Sequence, residues 1–397
     1  MGAEETFAPL RGRRVIDLTT SFAGPYCSQL LGALGAEVIK IESPRGDDAR
    51  QWGPPFFGGD AAIFLAANAG KRSLALDLRR GSEVVHRLVD GADVLVQSMR
   101  PGLADELGLG SDAMRARNPR LVYCSIGAYG KEGPKRDLPG YDPLMQAAGG
   151  LISVTGEPGR PPLRAGVSLI DQGTGMWGAF AVLSALLERE QTGVGREIDV
   201  ALYETAVTFM CYHLIGYLGS GTVPVPRGSA FPSVAPYQIF EVSDGRLMLA
   251  AASDRMFQAL LAVLGLPELA DDPRFASNPD RVVNRQALNE CIEPRLLEES
   301  RDVWLERFAA ARIPAAPVQD AAEVVADPQT QALGILQDIG EITLLAPPVS
   351  FDGHRPLYQS VPPQVGADSA AILASAGYTE QEIEGLAAEG IVLLGGA

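Results

Sequence analysis

Short apolar runs alternate with helix-period patterns over residues 14–125, where 83–89 is one of the helical stretches. The apolar runs, which predict strands, are 15–18, 38–41, 73–78, 94–97 and 121–125. Strands that alternate with helices pair in parallel, because each helix carries the chain back across one face of the sheet. We therefore expect an α/β fold, with a large Rossmann-like domain built on a parallel sheet.

Two further helical patterns follow. The first begins near Gly173 after a short apolar run that predicts a strand, and its apolar positions are Met176, Phe180, Leu183, Leu186 and Leu187. The second covers 199–218 and stops at Gly219-Ser220-Gly221. The stretch 222–236 is rich in Pro, Gly and Ser, which is typical of a linker.

Beyond this linker the pattern changes. Alternating runs at 237–242 and 246–252 flank the turn Ser243-Asp244-Gly245, which predicts a hairpin. Helical patterns follow at 256–264, 285–297 and 303–311. These elements predict a smaller α+β domain over 222–330. Near the C-terminus, Thr379 and Glu382 have the spacing of a capping box at the start of a helix.

Charge and composition limit the kinds of ligand that this chain is expected to bind. Lys and Arg total 33 against 49 Asp and Glu, giving a formal net charge of -16. This excess of negative charge disfavours binding to nucleic acid or to an anionic membrane. A chain of 397 residues that is 46% hydrophobic can bury the cores of two to three domains. Its longest apolar stretch is shorter than the ~20 residues that span a bilayer.

The cysteines lack metal-ligand spacing, and most lie in apolar surroundings typical of thiols in a reducing cytoplasm; they are Cys27, Cys124, Cys211 and Cys291. The N-terminus lacks a secretion signal, and Gly2 matches only a short myristoylation pattern. We predict a cytoplasmic location, no metal and no permanently bound cofactor. The histidines have no acidic partner at useful spacing, and they are His86, His213 and His354.

Asp171 is the leading candidate for chemistry. It lies between an apolar run and a helical pattern, where helix N–H groups and dipole favour an ionised carboxylate. Flanking glycines let a ligand approach the backbone closely. A carboxylate in this position suits attack on a carbonyl carbon. By position alone, a structural N-cap is the commoner role for such an aspartate.

Motifs along nearly the whole chain resemble those of the class III coenzyme A transferases, a superfamily that includes formyl-CoA transferase, carnitine CoA-transferase and α-methylacyl-CoA racemase. The motifs occur in the family's order, which makes their combination specific. They are Val15-Ile16-Asp17-Leu18-Thr19, Ala23-Gly24-Pro25, the run 34–42, Asn68-Ala69-Gly70-Lys71-Arg72-Ser73, Arg100-Pro101-Gly102, Leu107-Gly108-Leu109, Gly140-Tyr141-Asp142, the Asp171 segment, Gly193-Val194-Gly195-Arg196, Ala235-Pro236-Tyr237, Ala326-Asp327-Pro328-Gln329 and Gly377-Tyr378-Thr379.

The resemblance implies a fold and an assembly. Residues 1–221, including a linker helix over 199–221, would join 331–397 in one large CoA-binding domain. Residues 222–330 would form the small domain. Two chains would be threaded through each other as an interlocked homodimer.

The resemblance also implies an activity: CoA passes from an acyl-CoA thioester to a free carboxylic acid through intermediates covalently bound to Asp171. Tyr141 would face the acyl group, and Gly173 and Gly175 would admit the substrate near the backbone. The residues implied to contact CoA are Thr20, Ser21, Phe22, Ala23, Lys71, Arg72, Arg79, Ser98, Met99 and Arg100.

Three departures from the family pattern stand out. Ser98-Met99 replaces the usual Asn-aromatic pair before Arg-Pro-Gly, and Glu106 stands where a basic residue is common. The glycine-rich loop of formyl-CoA transferase corresponds to Ala250-Ala251-Ala252-Ser253. Because of these changes, the resemblance does not decide how CoA packs, which residues contact its phosphates, or which loop covers the active site.

Two alternative functions remain open at this stage. One is an acyl-CoA racemase, although racemases of this superfamily supply a histidine at the position of Tyr141. The other is a non-catalytic acyl-CoA-binding homologue. A nucleotide-binding Rossmann domain fits less well, because the first turn, Ser21-Phe22-Ala23-Gly24-Pro25-Tyr26, lacks the three-glycine spacing of a pyrophosphate loop.

Overall fold

The computed structural model describes residues 7–395, so the Gly2 acylation pattern lies outside the described residues. The elements up to residue 220 are β1 (Arg14–Leu18), α1 (Ala23–Ala33), β2 (Glu37–Glu42), β3 (Phe56–Phe57), β4 (Asp60–Ala61), α2 (Ala62–Asn68), β5 (Arg72–Leu76), α3 (Leu78–Val89), β6 (Val94–Gln97), α4 (Leu103–Glu106), α5 (Ser111–Arg117), β7 (Val122–Gly127), α6 (Asp142–Ala148), α7 (Leu151–Val154), α8 (Leu169–Thr192), β8 (Glu197–Ala201), α9 (Leu202–Phe209) and α10 (Cys211–Ser220).

The remaining elements are β9 (Tyr237–Val242), β10 (Gly245–Ala250), α11 (Asp254–Leu264), α12 (Asn278–Val283), α13 (Arg285–Leu296), α14 (Arg301–Ala310), β11 (Ala315–Pro317), α15 (Ala321–Ala326), α16 (Pro328–Leu333), β12 (Leu336–Ile339), β13 (Ile342–Leu345), α17 (Ser369–Ser375), α18 (Glu380–Ala388) and β14 (Val392–Leu393). Short 3-10 turns lie at Asp48–Gln51, Pro267–Asp271 and Pro273–Phe275.

A seven-stranded sheet in the order β14-β5-β2-β1-β6-β7-β8 forms the centre of the larger unit. Its pairs are parallel, except that β14 runs antiparallel to β5. Successive residues of β1 pack on opposite faces: Val15 joins the core beneath α1 and α8, whereas Ile16 joins the core beneath α3 and α17. Both faces are therefore apolar, as a parallel sheet covered by helices requires. The α/β prediction is confirmed.

The prediction of one helix over 199–218 was wrong. Glu197–Ala201 is a strand that pairs with β7, and two shorter helices follow it. Ile198 and Val200 both pack against the core beneath α8, and their spacing of two residues is typical of a strand. The longer apolar pattern that follows concealed this spacing. The strand predicted just before Asp171 is also absent, because α8 itself begins at Leu169.

Contacts between Cα atoms divide the chain into two compact units. Among the described residues, the first contains 7–151, Ala165–Ile215 and 332–395, and the second contains Ile152–Arg164 and Gly216–Gln331. The second unit holds a three-stranded antiparallel sheet in the order β11-β10-β9. Its core combines this sheet with α11, α13 and α14. The sequence-based boundaries, 222 and 330, did not include the segment 152–164; whether either unit folds independently stays a prediction.

Within residues 7–395, no helix is long and apolar enough to cross a membrane.

Candidate functional site

A cavity of about 520 Å³ lies where the chain leaves the C-terminal ends of β1, β6 and β7. In an open parallel sheet this edge is the usual ligand site. The cavity is lined by Asp171 and Tyr141 together with most residues predicted to contact CoA, namely Thr20, Ser21, Ala23, Ser98, Met99 and Arg100. Folding therefore brings the proposed nucleophile and the proposed CoA-binding loops to one place.

A second cavity, of about 670 Å³, shares Thr20, Ser98, Met99 and Arg100 with the first. It adds two further arginines, Arg45 and Arg79, to its lining. Guanidinium groups bind phosphate oxygens through paired hydrogen bonds. Since the two cavities share these lining residues, the arginines and Asp171 lie in neighbouring cavities at one edge of the sheet.

Asp171 lies in the first turn of α8, and the cap position belongs to Ser168. The carboxylate of Asp142 replaces a local cap: its Oδ2 atom accepts hydrogen bonds from the backbone N–H groups of Ile170 (2.7 Å) and Asp171 (3.1 Å). Asp142 is only 2% exposed, and its Oδ1 accepts a third bond from Gln146. The side chain of Asp171 is thereby left free of the capping role that its position in the sequence suggested.

The electrostatic environment of Asp171 differs from the prediction. Burial, reinforced by the negative charge of Asp142, raises the pKa of Asp171 from 3.8 to about 7. The helix dipole was expected to favour the ionised form, but Asp142 already occupies two of the helix N–H groups and repels a second negative charge. A carboxylate with this pKa is a stronger nucleophile than an ordinary aspartate once it is ionised.

Tyr141 precedes α6 and is 56% exposed in the cavity wall. Its ring meets that of Trp52 edge to face at 6.2 Å between centroids. Trp52 carries no motif signal in the sequence, and only folding brings it beside Tyr141. Tyr141 lines the cavity, whereas Trp52 lies outside its lining and is 44% exposed.

Gly173 and Gly175 do not face a ligand space. A Cβ atom on Gly173 would lie 2.5 Å from the ring of Phe209, and one on Gly175 would lie 2.7 Å from the carbonyl oxygen of Ala23. Both glycines are buried in helix contacts that leave no room for a side chain. The predicted substrate contacts at these two positions are therefore not supported by the geometry.

Lys71 and Arg72 also lie apart from the cavities. The ammonium group of Lys71 donates to Asp17 Oδ2 (2.9 Å), Asn68 Oδ1 (2.8 Å) and the Pro25 carbonyl (2.8 Å). All three of its protons are used, so none remains for a phosphate. Arg72 pairs with Glu37 at 2.6 Å, on the opposite end of the sheet from the CoA-binding loops. These partners do not support the predicted contacts of the two residues with CoA.

Phe22 is buried rather than exposed in either cavity described above. It lines a third, mostly apolar space of about 690 Å³ with Tyr26 and Tyr358. Arg100 stays at the site but pairs with Glu106 at 2.7 Å, and both side chains are more than half exposed. The unusual Glu106 thus partly neutralises the charge of Arg100, which was predicted to contact CoA.

Sequence reasoning missed three contributors: Asp142, Arg45 and Arg136. Asp142 belongs to a motif that was noticed, yet its contact with α8 joins residues 28 and 29 positions apart. Arg136 lines the cavity that contains Asp171, with Asp137 as its 3.3 Å partner. No local pattern marks Arg45 or Arg136, because each reaches its cavity only through the path that its loop takes in the folded chain.

The fold and the site define a class: an α/β enzyme with a carboxylate nucleophile candidate at the end of an arginine-lined cavity. The chain belongs to the CoA-transferase family III, whose model matches residues 10–369. This result confirms the resemblance noted from the motifs, and the protein is a class III CoA-transferase.

Named relatives and a solved structure agree. The chain is 38% identical to a succinate–glutarate CoA-transferase of Agrobacterium fabrum, covering 92% of this chain and 95% of the relative. It is 37% identical to an acetyl-CoA:oxalate CoA-transferase of Acetobacter aceti, covering 87% and 90%. A crystal structure of a CaiB/BaiF family protein from Brucella suis superposes with a TM-score of 0.85 at 42% identity, covering 93% and 99%.

Proposed function

We propose that this enzyme moves CoA from an acyl-CoA thioester to a free carboxylic acid, with Asp171 as a covalent nucleophile. The observation that carries the proposal is the position of Asp171. Its partly buried carboxylate lines a cavity that shares four lining residues with the arginine-bearing cavity. CoA would place its phosphates near Arg45, Arg79 and Arg100 and its thioester near Asp171. Thr20, Ser21 and Ala23 would lie beside the pantetheine arm.

The proposed cycle has four steps. The Asp171 carboxylate attacks the thioester carbonyl and expels the CoA thiolate, which leaves a mixed anhydride between Asp171 and the donor acid. The thiolate then attacks the aspartyl carbonyl, which releases the donor acid and gives an aspartyl-CoA thioester. The acceptor carboxylate attacks that thioester and expels the thiolate again, which leaves a second mixed anhydride between Asp171 and the acceptor acid. Attack of the thiolate on the acceptor acyl carbon yields the new acyl-CoA and restores the Asp171 carboxylate.

The surroundings of Asp171 support these steps. The repulsion from Asp142 favours a neutral, covalently bonded Asp171 over the free carboxylate, so it stabilises the acylated states relative to the ion. Asp171 itself is partly buried, and reduced access of water protects an anhydride from hydrolysis. Arg136 offers a positive charge near the acyl end.

The relatives suggest the substrate class. Their names specify succinate, glutarate, acetyl-CoA and oxalate as substrates. We infer that this enzyme likewise uses short carboxylic acids, with Arg136 placed to meet the second carboxylate of a diacid. A panel of acyl-CoA donors tested against mono- and dicarboxylic acids identifies the pair.

Intact-mass analysis tests the covalent mechanism. Incubation with a donor acyl-CoA and trapping with hydroxylamine should mark the native chain at Asp171, and Asp171→Asn should give no adduct and no transfer. Asp90→Asn is the matched control, since it removes a half-exposed carboxylate whose partner, Arg117, lies outside both cavities. Substantial transfer by a verified Asp171→Asn preparation would reject the covalent role.

We also propose the interlocked homodimer and a cytoplasmic location. Large apolar side chains on α8 are exposed in the single chain, and they are Met176, Trp177, Phe180 and Leu187. Contiguous exposed apolar surface is typical of protein contacts. Sedimentation at nanomolar concentration should give a dimer, and a folded, active monomer would contradict this assembly.

A further inference from the structure

The loop between β1 and α1 holds an unfavourable backbone conformation at the cavity wall. Ser21 has a φ of 71°, in the left-handed region that favours glycine. Thr20 and Ser21 line the cavity that contains Asp171. A strained non-glycine residue persists only when its surroundings hold it, and such strain is concentrated at functional sites.

Side chains from three other segments hold this loop. The Ser21 N–H donates to Asp47 Oδ1 at 3.1 Å, and the Thr20 N–H donates to Ser98 Oγ at 3.1 Å. The Thr19 N–H donates to Asp17 Oδ1 at 2.9 Å. Three successive backbone donors are therefore fixed by side chains rather than by secondary structure.

A buried ion pair orients the carboxylate that holds Ser21. Lys40 Nζ donates to Asp47 Oδ2 at 2.8 Å and to the Thr19 carbonyl at 2.9 Å, and both charged side chains are fully buried. Asp47 thus uses Oδ2 for Lys40 and Oδ1 for the Ser21 N–H, and Oδ1 also accepts from the Ala49 N–H at 3.0 Å as the cap of a short 3-10 turn. Neither residue lines the two cavities at the strand ends.

We propose that Asp47, paired with Lys40, is a positioning residue for CoA binding that holds the Thr19–Ser21 backbone in its binding conformation. The proposal rests on the placement of CoA given under the proposed function, because it requires CoA to run along this loop. Asp47 does not touch the ligand. Its loss lets Ser21 relax toward an ordinary backbone conformation, which moves the loop into or away from the space for the pantetheine arm.

Calorimetric titration with CoA, combined with steady-state kinetics of the full chain, tests the role. Asp47→Ala should weaken CoA binding about tenfold and raise KM for the acyl-CoA, while kcat at saturation stays within about twofold. Asp60→Asn is the control: it breaks a 2.9 Å pair with Arg50 in the same buried charge cluster but has no contact with the loop. It should lower stability without changing the Kd for CoA.

A second substitution separates positioning from general damage. Glycine adopts a positive φ without strain. Ser21→Gly in the Asp47→Ala background should therefore recover at least threefold of the lost CoA affinity, measured against Ser21→Gly alone. If Asp47→Ala does not fold, Asp47→Asn provides a milder comparison: it keeps an acceptor for Ser21 but loses the ion pair with Lys40 that orients the side chain, so a smaller loss of CoA affinity, about threefold, is expected.

An unchanged Kd for CoA in the Asp47 variants, an equal loss in Asp60→Asn, or no recovery with Ser21→Gly would overturn the proposal. CoA binding is measured without turnover, so these outcomes are independent of whether Asp171 forms a covalent adduct. Failure of CoA to bind the native enzyme in these cavities, seen as unchanged affinity in Arg79→Ala and Arg100→Ala, would instead reject the placement of CoA under the proposed function.

Discussion

Replacing Asp142 with asparagine should shift the pH dependence of the enzyme toward acid. Asp142 holds the first turn of α8 and contributes negative charge that, after burial, raises the pKa of Asp171 to about 7. Each pKa unit corresponds to about 1.4 kcal/mol, so burial and Asp142 together disfavour the Asp171 anion by about 4 kcal/mol. Burial is the larger cause, and we assign about one unit to Asp142.

The expected magnitude follows from the ionised share of Asp171. At pH 6, a pKa of about 7 leaves about a tenth of the carboxylate ionised, whereas a pKa of about 6 leaves about half. The acid limb of kcat/KM should therefore move down by about one pH unit in Asp142→Asn, and relative activity at pH 6 should rise several-fold. The amide oxygen can still accept from Ile170 and Asp171, but the bond from Gln146 is lost, at a cost of about 1 kcal/mol of stability.

The assay is a pH profile of CoA transfer between pH 5 and 9 (roughly the range around the Asp171 pKa), with circular dichroism at each pH to verify folding. Asp90→Asn is the control, because Asp90 pairs with Arg117 outside both cavities and does not contribute to the raised pKa of Asp171. An acid limb that stays in place in a folded Asp142→Asn enzyme would refute the electrostatic role of Asp142.

Three further predictions follow from the same contacts. Asp171→Asn should stabilise the fold above pH 7, by at most about 4 kcal/mol and with little effect below pH 4, because a raised folded-state pKa makes the native protein lose stability as pH rises from about 4 to 7; denaturant midpoints at pH 4 and pH 8 test this. Lys71→Met should cost about 3–5 kcal/mol of unfolding free energy, because it leaves the buried Asp17 carboxylate without its 2.9 Å partner, and an unchanged unfolding midpoint would contradict that reading. Incubation with 2-methylacyl-CoA in D2O should leave the α-position unlabelled, since Tyr141 stands where racemases of the superfamily have a histidine base; mass spectrometry showing exchange as fast as transfer would favour a racemase.

The local pattern of the sequence was enough to locate the main strands. Runs such as 94–97 are short, apolar and bounded by polar residues, so their backbone can be satisfied only in a buried sheet. The same reasoning placed the hairpin of β9 and β10, and the capping box at Thr379 and Glu382 is present in the structure. The ordered motifs identified the family, because each motif is short but their sequence along the chain is specific.

Local pattern failed where a residue's partner lies far along the chain. The strand Glu197–Ala201 forms because β7 offers an unpaired edge, and that edge does not exist in a local window. Lys71 has the sequence context of a ligand-binding lysine, yet its ammonium group is buried in an ion pair with Asp17, 54 residues away.

The candidate site likewise has features that the sequence indicated and features that only the folded structure revealed. Asp171 and the segment Thr20–Ala23 were proposed from the sequence through motifs that resemble those of the family, and their roles stay predictions. The raised pKa of Asp171 was not predicted, because burial and the charge of Asp142 arise only when α6 packs beside α8. Sequence thus determined which groups are present and which elements carry them; the tertiary structure decided which charges meet, because Coulomb energy and desolvation depend on distances through space rather than along the chain.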